Sequence, residues 1–86
     1  MITYSAERVV IYLSESESKM TARQEVAMQL KEMRKSEGMT QERLAELVGT
    51  KKSNISRLES GRYNPSLDFL VKVAAGLGRQ IQVQIK

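Results

Sequence analysis

Hydrophobic positions recur along this chain with two periods. Between Thr21 and Gly38, Val26, Leu30 and Met33 return at three- and four-residue spacing while Arg23, Lys31, Glu32 and Lys35 point elsewhere, which predicts an amphipathic helix. Thr21 can cap it and Gly38 can end it. Leu44, Ala45, Leu47 and Val48 predict a second helix with Thr40 as N-cap, closed at Gly49, where a residue without Cβ can take the left-handed conformation. Ile55 and Leu58 mark a third helix that starts almost at once. Tyr63-Asn64-Pro65-Ser66 reads as a turn in which Ser66 can cap a fourth helix starting near Leu67, with Leu67, Leu70, Val71, Ala74 and Leu77 as its apolar stripe and Gly76 and Gly78 at its end. The expected core is Val26, Leu30, Met33, Met39, Leu44, Ala45, Val48, Ile55, Leu58, Phe69, Leu70, Ala74 and Leu77.

The last segment changes period. Ile81, Val83 and Ile85 alternate with Gln80, Gln82 and Gln84, the pattern of a half-buried strand. Such a strand needs a neighbour: the same strand of a second copy, the Met1 to Tyr4 segment, or a sheet in another protein. At the other end, RVVIYL is rich in β-branched and aromatic residues, yet SAERVVIYL also allows a short helix capped by Ser5, and the helix is the preferred expectation. SESES, residues 14–18, reads as a polar connection. The chain thus divides into an N-terminal extension (1–20), a helical domain (21–78) and a terminal strand (79–86), and is mainly α in class.

Two short amphipathic helices joined by a tight glycine turn form a helix-turn-helix. Lys51, Lys52, Ser53, Asn54, Ser56 and Arg57 fall on the unburied face of the second helix, a face suited to DNA. Charge agrees: residues 34–86 hold ten basic and five acidic groups, whereas residues 1–33 hold four basic and five acidic, so the net +4 travels with the motif. Basic residues alone would fit a merely solvated surface; with the motif they read as an electrostatic footprint for phosphates.

The run Thr40-Gln41, Leu44-Ala45, Gly49, Ile55-Ser56-Arg57-Leu58-Glu59-Ser60-Gly61 and Asn64-Pro65-Ser66 resembles the lambda-repressor-like, or XRE/Cro, family of DNA-binding domains over about residues 25–78. The resemblance implies a lambda-repressor-like helical bundle in which Lys52, Ser53 and Arg57 reach base edges in the major groove. It places Gln41 on a phosphate beside its helix N-terminus; Lys51 and Asn54 are expected on phosphates, and Arg62, with Asn64, along the DNA backbone at the edge of the site. It also implies a structural ion pair between Arg34 and Glu59. One departure stands out: position 51, often a capping Ser or Thr in similar domains, is lysine. Either Thr50 caps one residue early or the helix starts with no side-chain cap.

The whole chain, with its extension and terminal strand, is similar to HigA-type antitoxins. That likeness implies a repressor that also neutralises a small RNA-cleaving toxin, with toxin contacts on the N-terminal segment or the terminal strand. The expected partners are therefore double-stranded DNA carrying a palindromic operator, a second copy of the chain joined through the terminal strand, and such a toxin. A stand-alone or phage-type repressor is the runner-up, and an interaction module without a specific DNA site is the rival from another class.

At 86 residues the chain suits one small core. It has no Cys and no His, so disulfides, thiolate or imidazole metal sites and Ser-His or Cys-His nucleophilic machinery are excluded; carboxylates could still hold a hard cation or work as an acid/base pair, but the ten Asp and Glu are scattered, mostly on expected exposed helix faces, and no enzyme activity, cofactor or metal is expected. No apolar run approaches the roughly 20 residues of a membrane span, and the N-terminus lacks signal-peptide character, so the expectation is a cytoplasmic protein.

Overall fold

The computed structural model describes residues 2–4, 8–13 and 21–85, with side chains described over residues 21–82. Four helices, α1 (Ala22–Ser36), α2 (Gln41–Val48), α3 (Lys52–Glu59) and α4 (Leu67–Gly76), carry most of the chain. Three strands, β1 (Ile2–Tyr4), β2 (Arg8–Leu13) and β3 (Gln80–Ile85), form one sheet in the order β1-β2-β3. The helical bundle expected from the residue pattern is present, with a strand at the C-terminal end.

Local chemistry sets the helix boundaries. Thr21 and Gln24 form a reciprocal capping box at the start of α1, Thr40 accepts from the Arg43 amide at the start of α2, and Ser66 accepts from the Phe69 amide at the start of α4. Gly49 closes α2 at φ 81°, ψ 36°, and the amides of Gly49 and Thr50 both return to the Ala45 carbonyl at 2.9 Å. α3 begins without a side-chain cap, its N-cap being Lys51, which resolves the alternative left open by the sequence. The Thr50 hydroxyl is used differently, accepting from Asn54 Nδ2 at 2.9 Å.

The core joins Val26, Ala27, Leu30, Met33, Leu44, Ala45, Ile55, Leu58, Leu70, Val73, Ala74 and Leu77. Met39, Val48 and Phe69 lie half-buried at its margin. The expected stripe on α4 needs correction, because Leu67 and Val71 are 44% and 47% exposed and Val73 is fully buried. The observed arc, Leu70, Val73, Ala74 and Leu77, is as good a helical repeat as the expected one; the elements packed on α4 decide between them. Leu47, expected on the inner side of α2, is also 44% exposed. α2 and α4 cross closely at Gly76, where an added Cβ would meet Val48 Cγ2 at 2.7 Å.

The helix expected over SAERVVIYL is not formed; Arg8–Leu13 is a strand. The Ser5 cap and the SESES connection proposed from the sequence lie outside the described residues. β2 is the central strand, antiparallel to β1 (Thr3 opposite Val10) and parallel to β3 (Ile11 opposite Val83). The neighbour of the terminal strand is therefore β2 and not the Met1 to Tyr4 segment, which pairs with the other edge of β2. A central strand with a parallel partner favours a continuous apolar run over strict alternation, which accounts for RVVIYL. The sheet packs on α1 and α4, and Arg79 fastens the entry to β3 by an ion pair from Nη2 to Glu37 at 2.9 Å.

Candidate nucleic-acid interface

The inner face of α3 is fixed by the core and by one polar network. Ile55 and Leu58 are buried, and Glu59, beside them, is only 3% exposed in its side chain. Its carboxylate accepts from Arg34 Nε at 2.7 Å and Nη2 at 2.9 Å, a bidentate pair that ties α3 to α1 as expected. Arg34 also donates through Nη1 to the Met39 carbonyl. Hydrogen bonding to Glu59 raises the Arg34 guanidinium above its ordinary pKa, overcoming the opposite effect of burial. The guanidinium is therefore charged throughout the neutral range.

Gln41 joins this network. Its Nε2 donates to Glu59 Oε1 at 2.9 Å, so the side chain expected to meet a phosphate also braces the buried ion pair. The second N–H of the carboxamide and its oxygen are not used in that bond, and Gln41 sits half-buried in the first turn of α2, where unpaired amides and the helix dipole favour an anion.

The outer face of α3 is different in kind. Lys51, Lys52, Ser53 and Arg57 are all exposed, and Arg62, in the loop after the helix, is exposed as well. Lys52 Nζ reaches Glu42 Oε1 at 3.4 Å, a pair whose side chains are 58% and 70% exposed. Arg57 lies with its guanidinium carbon 5.0 Å from the centroid of the Tyr63 ring. Asn54 is half-buried and bonded to Thr50, which locks the first turn of α3 to the turn before it. A cleft of roughly 350 Å³ beside α3 is lined by Asn54, Arg57, Tyr63, Ser66 and Phe69.

The structure thus brings Lys52, Ser53, Asn54 and Arg57 together on one short helix with Lys51 as its N-cap, Gln41 beside it across the turn and Arg62 beyond its C-terminal end. Two neighbours escaped the sequence reading: Glu42, which partners Lys52, and Tyr63, read only as a turn residue. Neither is at helical spacing from its partner, so no local pattern could reveal it. Among the described residues no cluster of three acidic side chains is placed to hold a metal ion, and no helix is long and apolar enough to cross a membrane.

Comparison with known proteins agrees with this fold. Uncharacterized HTH-type transcriptional regulators are similar to this chain: one from Methanothermobacter thermautotrophicus is 49% identical over 51 residues, 59% of this chain and 74% of that protein. The immunity repressor protein of Bacillus phage phi105 is 41% identical over 56 residues, 65% of this chain and 39% of that protein. Among solved structures, the restriction-modification controller protein C.AhdI from Aeromonas hydrophila aligns with a TM-score of 0.59 at 34% identity, covering 64% of this chain and 83% of its own. The hypothetical transcription factor NHTF from Neisseria aligns with a TM-score of 0.62 at 29% identity, covering 79% and 78%. Residues 30–84, a span running from α1 through α2, α3 and α4 into β3, match the helix-turn-helix family HTH_3, and the chain belongs to that family.

Proposed function

We propose that this protein is a sequence-specific DNA-binding transcription regulator that acts as a repressor. The observation that carries the reading is the two-faced character of α3: one side is held by Ile55, Leu58 and the Arg34–Glu59 pair, while Lys51, Lys52, Ser53 and Arg57 stand exposed on the other. In this reading α3 enters the major groove. Lys52, Ser53 and Arg57 meet base edges, and Lys51, Asn54, Gln41 and Arg62 hold the phosphates that set its orientation. One such helix covers few base pairs, so two copies bind a palindromic operator whose half-sites lie about one turn, roughly 34 Å, apart. The bound dimer covers a promoter and excludes polymerase. The relatives described as transcriptional regulators and as a phage repressor support this reading.

The test is binding to a duplex selected from a randomised pool, compared with random duplex over a range of salt. Affinity should fall steeply as salt rises, with a log–log slope of about −0.9 for each phosphate neutralised. Arg57→Ala or Lys52→Ala should remove the preference for the selected duplex. Equal wild-type binding to selected and random duplex would instead favour a protein-interaction module.

A finer form of the proposal is that the regulator is also the antitoxin of a toxin-antitoxin pair, as the similarity to HigA-type antitoxins implies. What supports it is separation in space: the sheet formed by the N-terminal and C-terminal segments packs on α1 and α4, leaving α3 for DNA while a toxin meets the sheet. Co-expression with the product of the adjacent gene tests it. Rescue of growth and a stable complex are expected, and a gene standing alone would leave the ordinary repressor.

A further inference from the structure

Tyr63 is built as a platform. Its carbonyl accepts from Gln24 Nε2 at 3.4 Å, as does that of Gly61, so the loop after α3 is tied to the first turn of α1. The Thr21 hydroxyl donates to Asn64 Oδ1 at 2.9 Å in the same place, and buried Pro65 follows directly. The Tyr63 side chain packs against the hydrophobic core and keeps one face of its ring for the Arg57 guanidinium. Without such a support, a long side chain on an exposed helix face samples many rotamers and must give them up on binding.

We propose that Tyr63 is a positioning residue for DNA sequence recognition, holding the Arg57 guanidinium in a plane from which its N–H edge can address a guanine. The inference rests on the DNA-binding reading above. A stacked cation–π contact, which the 5.0 Å separation over the ring permits, uses the face of the guanidinium and leaves its N–H groups, which radiate in the plane, available. Among the described residues those groups have no hydrogen-bond or ion-pair partner. Bidentate donation to guanine O6 and N7 needs this combination of a fixed plane and a vacant edge. The chemical class recognised is thus the major-groove edge of a guanine, and Tyr63 contributes to its selection from outside the groove.

The experiment compares wild type, Tyr63→Phe, Tyr63→Leu and Tyr63→Met, each with Arg57 intact and with Arg57→Ala. Preference for the pool-selected duplex over random duplex is the readout with Arg57 intact, affinity for the selected duplex at low salt is the readout in both backgrounds, and melting temperature serves as a fold control. Tyr63→Phe should keep the preference, since the ring face is retained. Tyr63→Leu should lower it by about two- to five-fold, the range of an exposed cation–π contact, and should have no further effect once Arg57 is alanine. Tyr63→Met, flexible and ringless, reads the same quantity if the leucine variant does not fold. A folded ringless variant with wild-type preference, or one whose loss persists unchanged in the Arg57→Ala background, overturns the proposal. A wild type with no preference between duplexes overturns the DNA reading itself, and is distinguishable because Tyr63 is then not at issue.

Discussion

Among the described residues, two ion pairs reach α3, and they differ in almost every physical respect. Arg34 and Glu59 meet through two short bonds with side chains 10% and 3% exposed, whereas Lys52 and Glu42 meet once, at 3.4 Å, in open solvent. The first cannot exchange partners without stranding a buried charge, and so it fixes where the helix lies. The second is screened by water and gives little, and so Lys52 can leave Glu42 at small cost. Charge that places the helix and charge that stays in solvent are sorted by depth, at opposite ends of the same eight residues.

The strongest way to break this contrast is to cut the buried pair. Glu59→Ala or Arg34→Ala should cost about 3 to 5 kcal/mol in chemical denaturation, enough to unfold much of a small domain; a loss below about 1 kcal/mol would mean that the pair is not buried in solution. Replacing both partners together, as Arg34→Met with Glu59→Leu, should restore most of the stability if the packing volume is kept, because no charge is then left alone. Protonation does not enter near neutrality. A raised guanidinium pKa contributes stability that is fully present below the unfolded-state value and is lost only as pH rises through the raised one, far into alkali.

A smaller effect sharpens the comparison at the uncapped start of α3. Lys51→Ser supplies the oxygen that lysine lacks, and should stabilise the fold by about 1 kcal/mol in thermal or denaturant unfolding. The same change should weaken DNA binding and make the salt slope shallower by about one unit, provided Lys51 holds a phosphate. Gain in stability with unchanged binding would remove Lys51 from the interface. Position 51 would thereby show stability yielding to recognition at a single residue.

The smallest effect belongs to the exposed pair. Glu42→Gln should change stability by less than about 0.5 kcal/mol. It should strengthen binding to selected and random duplex alike, because it removes a negative charge beside Lys52 without altering which bases are addressed. Titration of both duplexes at low salt checks this, and a change in the ratio between them would assign Glu42 a part in selectivity.

How far each part could be read from the residues follows from the range of the forces that shape it. Thr21, Thr40 and Ser66 act within three positions of themselves, and Gly49 acts on its own φ, so the helix ends were legible. The Arg34–Glu59 pair spans 25 positions and was foreseen only through family resemblance. RVVIYL is ambiguous in sequence because a continuous apolar run carries no period, and its identity as a strand depends on pairing with β1 on one side and with residues more than 70 positions away on the other.

Periodicity and punctuation alone determined four helices, the tight turn between the second and third, the strand at the end, and the cationic outer face of α3. Those features arise from backbone geometry and side-chain chemistry within a few residues. Tertiary structure alone decided which arc of α4 turns inward, which strand joins β3, that Gln41 leans on Glu59, and that Arg57 rests on Tyr63. Each of these is a choice among locally equivalent arrangements, settled by packing and pairing between segments that meet only when the chain has folded.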